Sequence, residues 1–295
     1  MTTFTFSGPT SQVPYLPLTI NRTLDKLAVA NLPLCQHQLV ALAAAGAVAG
    51  TAAQHDLIVA DTAWLDIAEL RLFITDLSVG VLRTQAGTCL VSKVAGPEKA
   101  QTTVLSFSID FAWDLLMANE RALATKTDFT RAAEYHSSLY VDGRLQVGQG
   151  TKILPGVVIE GDVVIGEDCK IGPHCYIRGA TSIGHRCHVG QAVELKNSIL
   201  MDGTNVGHLA YVGDSILGEK VNFGAGTITS NLRHDGHVHR SMVGGQLVDT
   251  GRRKLGAIIG DRVHTGINTT IYPGRKIWPG LTTRPGAIVA CDLLS

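Results

Sequence analysis

Between Val193 and Asn231 the chain gathers side chains able to do chemistry: Lys196, His208, Tyr211, Asn222 and Asn231, with Arg178 a short way upstream. An imidazole with an ordinary pKa of about 6.5 takes up a proton near neutral pH, so His208 is suited to act as base on a protonated amine. Paired cations with several donors, such as Arg178 and Lys196, suit a phosphate carrying close to two negative charges. A carboxamide or a turn N–H can donate to a developing oxyanion. A further cluster, Arg252-Arg253-Lys254, suits a second phosphate or caps a loop. Each residue also has a plain structural reading. A histidine at a corner is usually solvated, single cations are usually surface charges, and asparagine tolerates left-handed backbone.

These residues need a frame, and the frame is a repeat. An aliphatic residue recurs at every sixth position through Val147, Ile153, Ile159, Ile165, Ile171, Ile177, Ile183, Val189 and Leu195, often followed by glycine. Four places after each aliphatic comes a small or medium residue, from Thr151 and Val157 through Cys169, Cys175, Thr181 and Cys187 to Val193. The row stops at Leu195 and resumes at Ile259, Thr265, Ile271, Ile277, Thr283 and Val289. A period of six is neither an amphipathic helix nor a plain alternating strand. It predicts a three-sided parallel β-helix in which three hexapeptides make one coil of about 18 residues. The two recurring rows point inward, and each coil buries its faces against its neighbours. The fold expected is mainly β: a left-handed β-helix over 141–295, preceded by a small α/β domain over 1–135.

Composition agrees with a packed protein. Hydrophobic residues make up 45% and charged residues 17%, which argues against disorder. Basic and acidic residues balance at 25 each, so nothing favours nucleic acid or an anionic membrane surface. The N-terminus lacks the basic and apolar regions of a secretory signal, and the apolar run from Leu39 to Ala53 is too short to span a bilayer. A cytoplasmic protein is expected. The six cysteines form no CxxC pair, and three fall on the inward small position, so they are expected to be free, buried thiols. No metal site is expected.

The blocks GHLAYVGD (207–214) and NFGAGTITSN (222–231) strongly resemble the acetyltransferase domain of the bifunctional glucosamine-1-phosphate acetyltransferase / N-acetylglucosamine-1-phosphate uridylyltransferase family. The stretch 249–274 is closer to related archaeal and bacterial sugar-1-phosphate nucleotidylyltransferases. The resemblance covers about Gly148 to Val289. It implies His208 as general base and Tyr211 as a contact to phosphate and acceptor. It implies Arg178 and Lys196 as the phosphate grip, and Asn222 and Asn231 as carboxamides orienting the sugar and acetyl groups. It places Ala225 where the backbone meets acetyl-CoA, the expected co-substrate. Arg253 and Lys254 are candidates for the acetyl-CoA phosphates. The family's active sites lie between neighbouring β-helices, which implies a homotrimer. Several residues depart from the pattern. Leu232-Arg233-His234 replaces the Tyr-Asp-Gly that follows the second asparagine, an insertion from about His237 to Arg252 stands where a lysine is used, and bulky Trp278 and Arg284 occupy positions that usually carry glycine or alanine.

Upstream, Pro17–Gly46 and Asp110–Glu120 (DFAWDLLMANE) resemble the opening and closing segments of sugar-nucleotide pyrophosphorylases. The glycine-rich phosphate loop of that family is replaced by Ser7–Leu16, with one glycine and two prolines. The lysines of its KPL and VANKPL blocks are Leu24 and Leu32, although Lys26 is nearby. The segment is about half the length of an intact domain of that family. Helices are expected over 36–49 and 113–124, the latter capped by Asp110, with strands at 56–60 and 79–82 and a linker over 126–138.

The function this reading predicts is transfer of an acetyl group from acetyl-CoA to the amine of an amino-sugar 1-phosphate. The alternative is a regulatory or scaffold subunit built on an inactive nucleotidylyltransferase-like domain. A zinc hydratase on the same fold would need three histidines on one stacked edge, and no spacing of the eleven provides them.

Overall fold

The computed structural model describes residues 2–7, 11–50 and 54–295, with the backbone alone at Glu134. Contacts divide the chain into two units. One comprises Met1–Gln12, Arg22–Leu27 and Leu32–Asp110; the other comprises Val13–Asn21, Ala28–Asn31 and Phe111–Ser295. By contacts the division falls after Asp110, and two short N-terminal pieces group with the β-helix.

The smaller unit is α/β. Its mixed sheet runs in the order Ala47–Ala49, Thr2–Phe6, Leu57–Val59, Cys89–Lys93, Val81–Arg83, Ala100–Thr102. Helices α1 (Leu34–Ala44) and α2 (Ile67–Thr75) accompany it, and Asp66 caps α2 by accepting from the N–H groups of Ala68 and Glu69. The helix expected over 36–49 ends early because Gly46, at a φ of 89°, turns the chain into the strand Ala47–Ala49. The expected phosphate loop falls partly on Gly8, Pro9 and Thr10, which lie outside the described residues.

The larger unit is the left-handed parallel β-helix, preceded by α3 (Asp114–Thr125). Asp110 does not cap α3; it accepts from Ser108, while Asp114 accepts from the N–H of Phe111. The segment expected as a linker is already part of the solenoid. Arg131 bridges Val147, and Glu134–Tyr135 pairs in parallel with Lys152–Ile153. An unpaired first rung would leave a row of open backbone donors and acceptors, and this segment fills it.

Three faces follow. The first stacks Lys152–Ile153, Lys170–Ile171, His188–Gln191, Asn205–His208 and Asn222–Phe223. The second stacks Tyr176–Arg178, Glu194–Lys196, Tyr211–Gly213, Ile228–Thr229, Thr270–Ile271 and Ile288–Val289 below the start of Val158–Ile165. The third stacks Thr181–Ile183, Ile199–Leu200, Ile216–Leu217, Ile258–Ile259 and Lys276–Ile277 below its end. Both inward rows read from the sequence are buried apart from half-buried Thr283 in the last coil, and they include Cys169, Cys175 and Cys187, whose thiols are free.

The repeat does not break at Leu195. Pairing steps of 18 residues, as in Arg178↔Lys196, shorten to 17 from Ser182↔Ile199 through Tyr211↔Ile228. The inward row continues through Leu200, Val206, Val212, Leu217, Phe223 and Thr229, all buried, with one residue dropped at two corners. The real interruption comes after Thr229. Ile216 pairs with Ile258, and the extra chain forms an excursion carrying the antiparallel hairpin Arg240–Val243/Gln246–Asp249.

The bulky Trp278 and Arg284 have a packing explanation. A Cβ on Gly266 would lie 2.5 Å from the backbone of Arg284, and one on Gly260 would lie 2.7 Å from the ring of Pro279. The next coil thus demands glycine on these corner rows, and Trp278 and Arg284 stand in the last coil, where the demand lapses. Among the described residues no helix is long and apolar enough to cross a membrane.

Candidate active site

The second face brings four of the expected residues together. Outward positions along it form two rows, one reading Tyr176, Glu194, Tyr211, Ile228 and the other Glu160, Arg178, Lys196, Gly213. Adjacent members are one strand spacing apart, about 4.8 Å. The corner that follows carries left-handed backbone at Gly179, Asn197 and Asp214, the last at a φ of 48°. Asparagine and aspartate tolerate that conformation better than other side chains. The corner turns the carboxylate of Asp214 back under the face.

Asp214 is the centre of the cluster and is buried. Its Oδ2 accepts from Lys196 Nζ at 2.8 Å and from Asn231 Nδ2 at 2.5 Å, and its Oδ1 accepts from Asn197 Nδ2 at 3.1 Å. Asn231 also donates to the Tyr211 hydroxyl at 3.0 Å. Burial and the charge of Asp214 push the pKa of Tyr211 up, so the phenol stays protonated. Arg178 pairs with Glu194 at 2.7 Å and lies over the Tyr176 ring at 5.4 Å. Arg178 is the more available of the two cations, 35% exposed at its side chain against 16% for Lys196.

His208 and Ala225 occupy the other edge of the same face, at the corner leading into it. His208 is exposed and stands in register with Gln191. Its carbonyl accepts from Gly226, one coil on. Its charge, after burial and Lys170, helps hold the pKa of His188 down. Ala225 accepts from Asn268, while its own N–H meets no protein acceptor among the described residues. Three residues of strand separate the two edges, about 10 Å.

Other expected residues lie elsewhere. Asn222 stands on the first face, in register with Asn205 and His264, and does not join the Asp214 cluster. Neither Asn222 nor Asn231 has left-handed backbone. Arg253 and Lys254 are exposed on the stem of the excursion, with Lys254 bridging Leu232, while Arg252 is tied to Glu120 at 2.7 Å. Trp278 follows the third face and is on neither edge of the site. Arg284 shares the His208 corner but lies three coils further on, about 14 Å away by strand spacing.

Sequence reasoning missed Glu194, Asp214 and Asn197. Asp214 was visible as the last residue of GHLAYVGD, but burial and hydrogen bonding, not its type, make it central. The upstream motifs also acquire a role. Asn119 of the WDLLMANE segment accepts from the N–H of Ala30 and donates to the carbonyl of Ala180, each at 2.9 Å, and Asn31 donates to Ile183 at 2.7 Å. Glu120 accepts from Asn197 and Arg252. These motif residues clamp the flank of the β-helix.

Residues 159–279 match the model of the GMPPB C-terminal domain. The bifunctional sugar-1-phosphate nucleotidylyltransferase/acetyltransferase of Sulfurisphaera tokodaii is 40% identical over 181 residues, covering 61% of this chain and 45% of that protein. The bifunctional protein GlmU of Methanococcus maripaludis (strain C7) is 50% identical over 169 residues, covering 57% of this chain and 41% of the relative. That of Methanocaldococcus jannaschii is 49% identical over 84 residues, covering 28% and 20%. The chain spans less than half the length of these relatives. Over these stretches the chain is similar to bifunctional GlmU-type sugar-1-phosphate nucleotidylyltransferase/acetyltransferases.

Proposed function

We propose that the β-helix transfers an acetyl group from acetyl-CoA to the amine of an amino-sugar 1-phosphate of the glucosamine-1-phosphate type. The observation that carries this reading is the gathering of Arg178, Lys196, Tyr211 and Asn231 at one edge of a face whose other edge holds His208 and the free N–H of Ala225. The cations hold the phosphate, with Arg178 exchanging Glu194 for it and Lys196 fixed by Asp214. His208 takes a proton from the ammonium, and the freed amine attacks the thioester carbon. The C–N bond forms, the C–S bond breaks, and the proton from the nitrogen leaves with the coenzyme A thiolate. The Ala225 N–H is suited to the carbonyl oxygen of the donor.

The protein acts as a homotrimer in this reading. Two observations support it. Asn222 lies on a different face from the rest of the site, as expected when a neighbouring copy completes it. Leu209, Ile228, Ile267 and Ile288 also form an exposed apolar strip beside His208. One observation favours the alternative, a binding or scaffold subunit: Glu194 and Asp214 neutralise both cations within the chain.

The test is thiol release from acetyl-CoA with a panel of amino-sugar 1-phosphates, run beside His208→Ala. Turnover that depends on the sugar and is lost in the variant supports the proposal. No turnover with any amino sugar, or full activity without the imidazole, removes it.

A further inference from the structure

The excursion after Thr229 encloses a feature outside the site described above. Together with the last coils it forms a cavity of about 230 Å³ lined by Arg233, Arg240, Arg275, His239 and Tyr272. Three guanidinium groups converge on one small space. Arg233 is paired with Asp235. Arg240 and Arg275 have no carboxylate within ion-pair distance among the described residues, and the only side-chain bond of Arg275 is to the carbonyl of Pro273 at 3.2 Å. The carboxylate of Asp292 accepts from the backbone N–H of Lys276 instead. Burial pushes the Asp292 carboxyl up and the charge of Arg275 draws it back down, so Arg240 is the least compensated of the three. Guanidinium groups around a concavity attract an anion with several acceptor oxygens. His239 registers the same field. Burial first, then the charges of Arg233 and Arg275, hold its pKa down. Its Nε2 meets the carbonyl of Asn231 at 3.1 Å, which ties the cavity wall to the Asp214 cluster. Tyr272 follows Ser230 in the outward row of the second face, so the cavity lies about one strand spacing from Asn231 and opens beside an aromatic ring 48% exposed.

We propose that this cavity is a binding site for a phosphomonoester dianion, gripped by Arg240 and Arg275 and flanked by Tyr272. Two sources fit the chemistry: the phosphomonoester of coenzyme A, with its adenine beside the ring, or the phosphate of the sugar, which would then be held here in place of Arg178 and Lys196. The inference rests on the acetyl-transfer reading only for which ligand brings the phosphate.

The test is titration calorimetry of the full chain and of Arg240→Ala/Arg275→Ala with coenzyme A, dephospho-coenzyme A and glucosamine 1-phosphate, together with phosphorus NMR line broadening of inorganic phosphate. Each guanidinium removed is expected to weaken the phosphomonoester about tenfold. A loss confined to coenzyme A, with dephospho-coenzyme A binding both proteins alike, assigns the donor. A loss confined to glucosamine 1-phosphate assigns the acceptor. Should acetyl transfer prove wrong and neither organic ligand bind, reduced broadening of inorganic phosphate by the variant still sustains the site. Equal affinities for every ligand and equal phosphate broadening overturn it. Arg240→Gln alone repeats the test should Arg275→Ala unfold the corner, because the Arg240 side chain makes no bond among the described residues.

Discussion

Lys196 and Asp214 form an ion pair at 2.8 Å with 16% and 4% of their side chains exposed, and the same carboxylate holds Asn231 and Asn197. A charge so withdrawn from water is tolerated only while its partner is present. Removal of Asp214 leaves an ammonium uncompensated and two carboxamides without an acceptor. Asp214→Ala is therefore expected to cost about 3 kcal/mol of stability, read as a lower denaturation midpoint, and to raise KM for the sugar phosphate. A midpoint equal to that of the parent protein would show that the cluster holds nothing together.

His208 offers the contrasting case. It is exposed and makes no side-chain hydrogen bond among the described residues, so His208→Ala should leave the melting temperature unchanged. Loss of a general base should lower kcat by about 10²–10⁴-fold with little change in KM. A fall in melting temperature matching the fall in activity would assign the residue a structural task instead.

Lys276 is buried on the third face, with Nζ donating to the carbonyl of Met242 on the hairpin at 2.7 Å and lying 5.4 Å from the Trp113 ring. Burial lowers its pKa from 10.5 to about 8; Asp292 opposes that shift and Arg275 adds to it. Below pH 8 the amine is protonated in folded and unfolded chains alike. Between 8 and 10.5 the unfolded chain keeps a proton that the folded chain has released, so stability rises with pH across that window. This contribution is roughly 3 kcal/mol, and Lys276→Met should remove it, leaving the opposing fall in stability from the buried Cys175 thiol. Denaturant titrations at pH 7.5 and 10 in both proteins check this.

Thiol chemistry reports the solenoid directly. Cys89 and Cys291 are exposed, while Cys169, Cys175 and Cys187 are buried. Burial pushes the Cys175 thiol up to about 12, which withholds the reactive thiolate. Native protein should titrate quickly at Cys89 and Cys291, more slowly at half-buried Cys35, and release the other three only on denaturation. Rapid labelling of Cys175 in native protein would contradict the packed interior.

The hexapeptide rows made the β-helix legible because its interior is so narrow that inward positions are small or aliphatic, with Phe223 the aromatic exception. The N-terminal boundary was less legible, since Arg131 and Glu134 carry no hexad signature and join the solenoid through backbone pairing. The row after Leu195 was misread because two corners drop a residue, which shifts the phase while leaving the stack intact.

Residue types and spacing determined by themselves the three-sided solenoid, its buried cysteines and a short set of reactive side chains. Tertiary structure decided which of those side chains meet. Corner geometry and the stacking of distant coils turn Asp214 beneath Lys196 and Asn231, set Asn222 on another face, and fold the excursion so that Arg233, Arg240 and Arg275 line one cavity. Sequence distance carries no record of such meetings, because a coil returns the chain to the same edge only after 17 or 18 residues and an inserted hairpin lengthens that path without moving the edge.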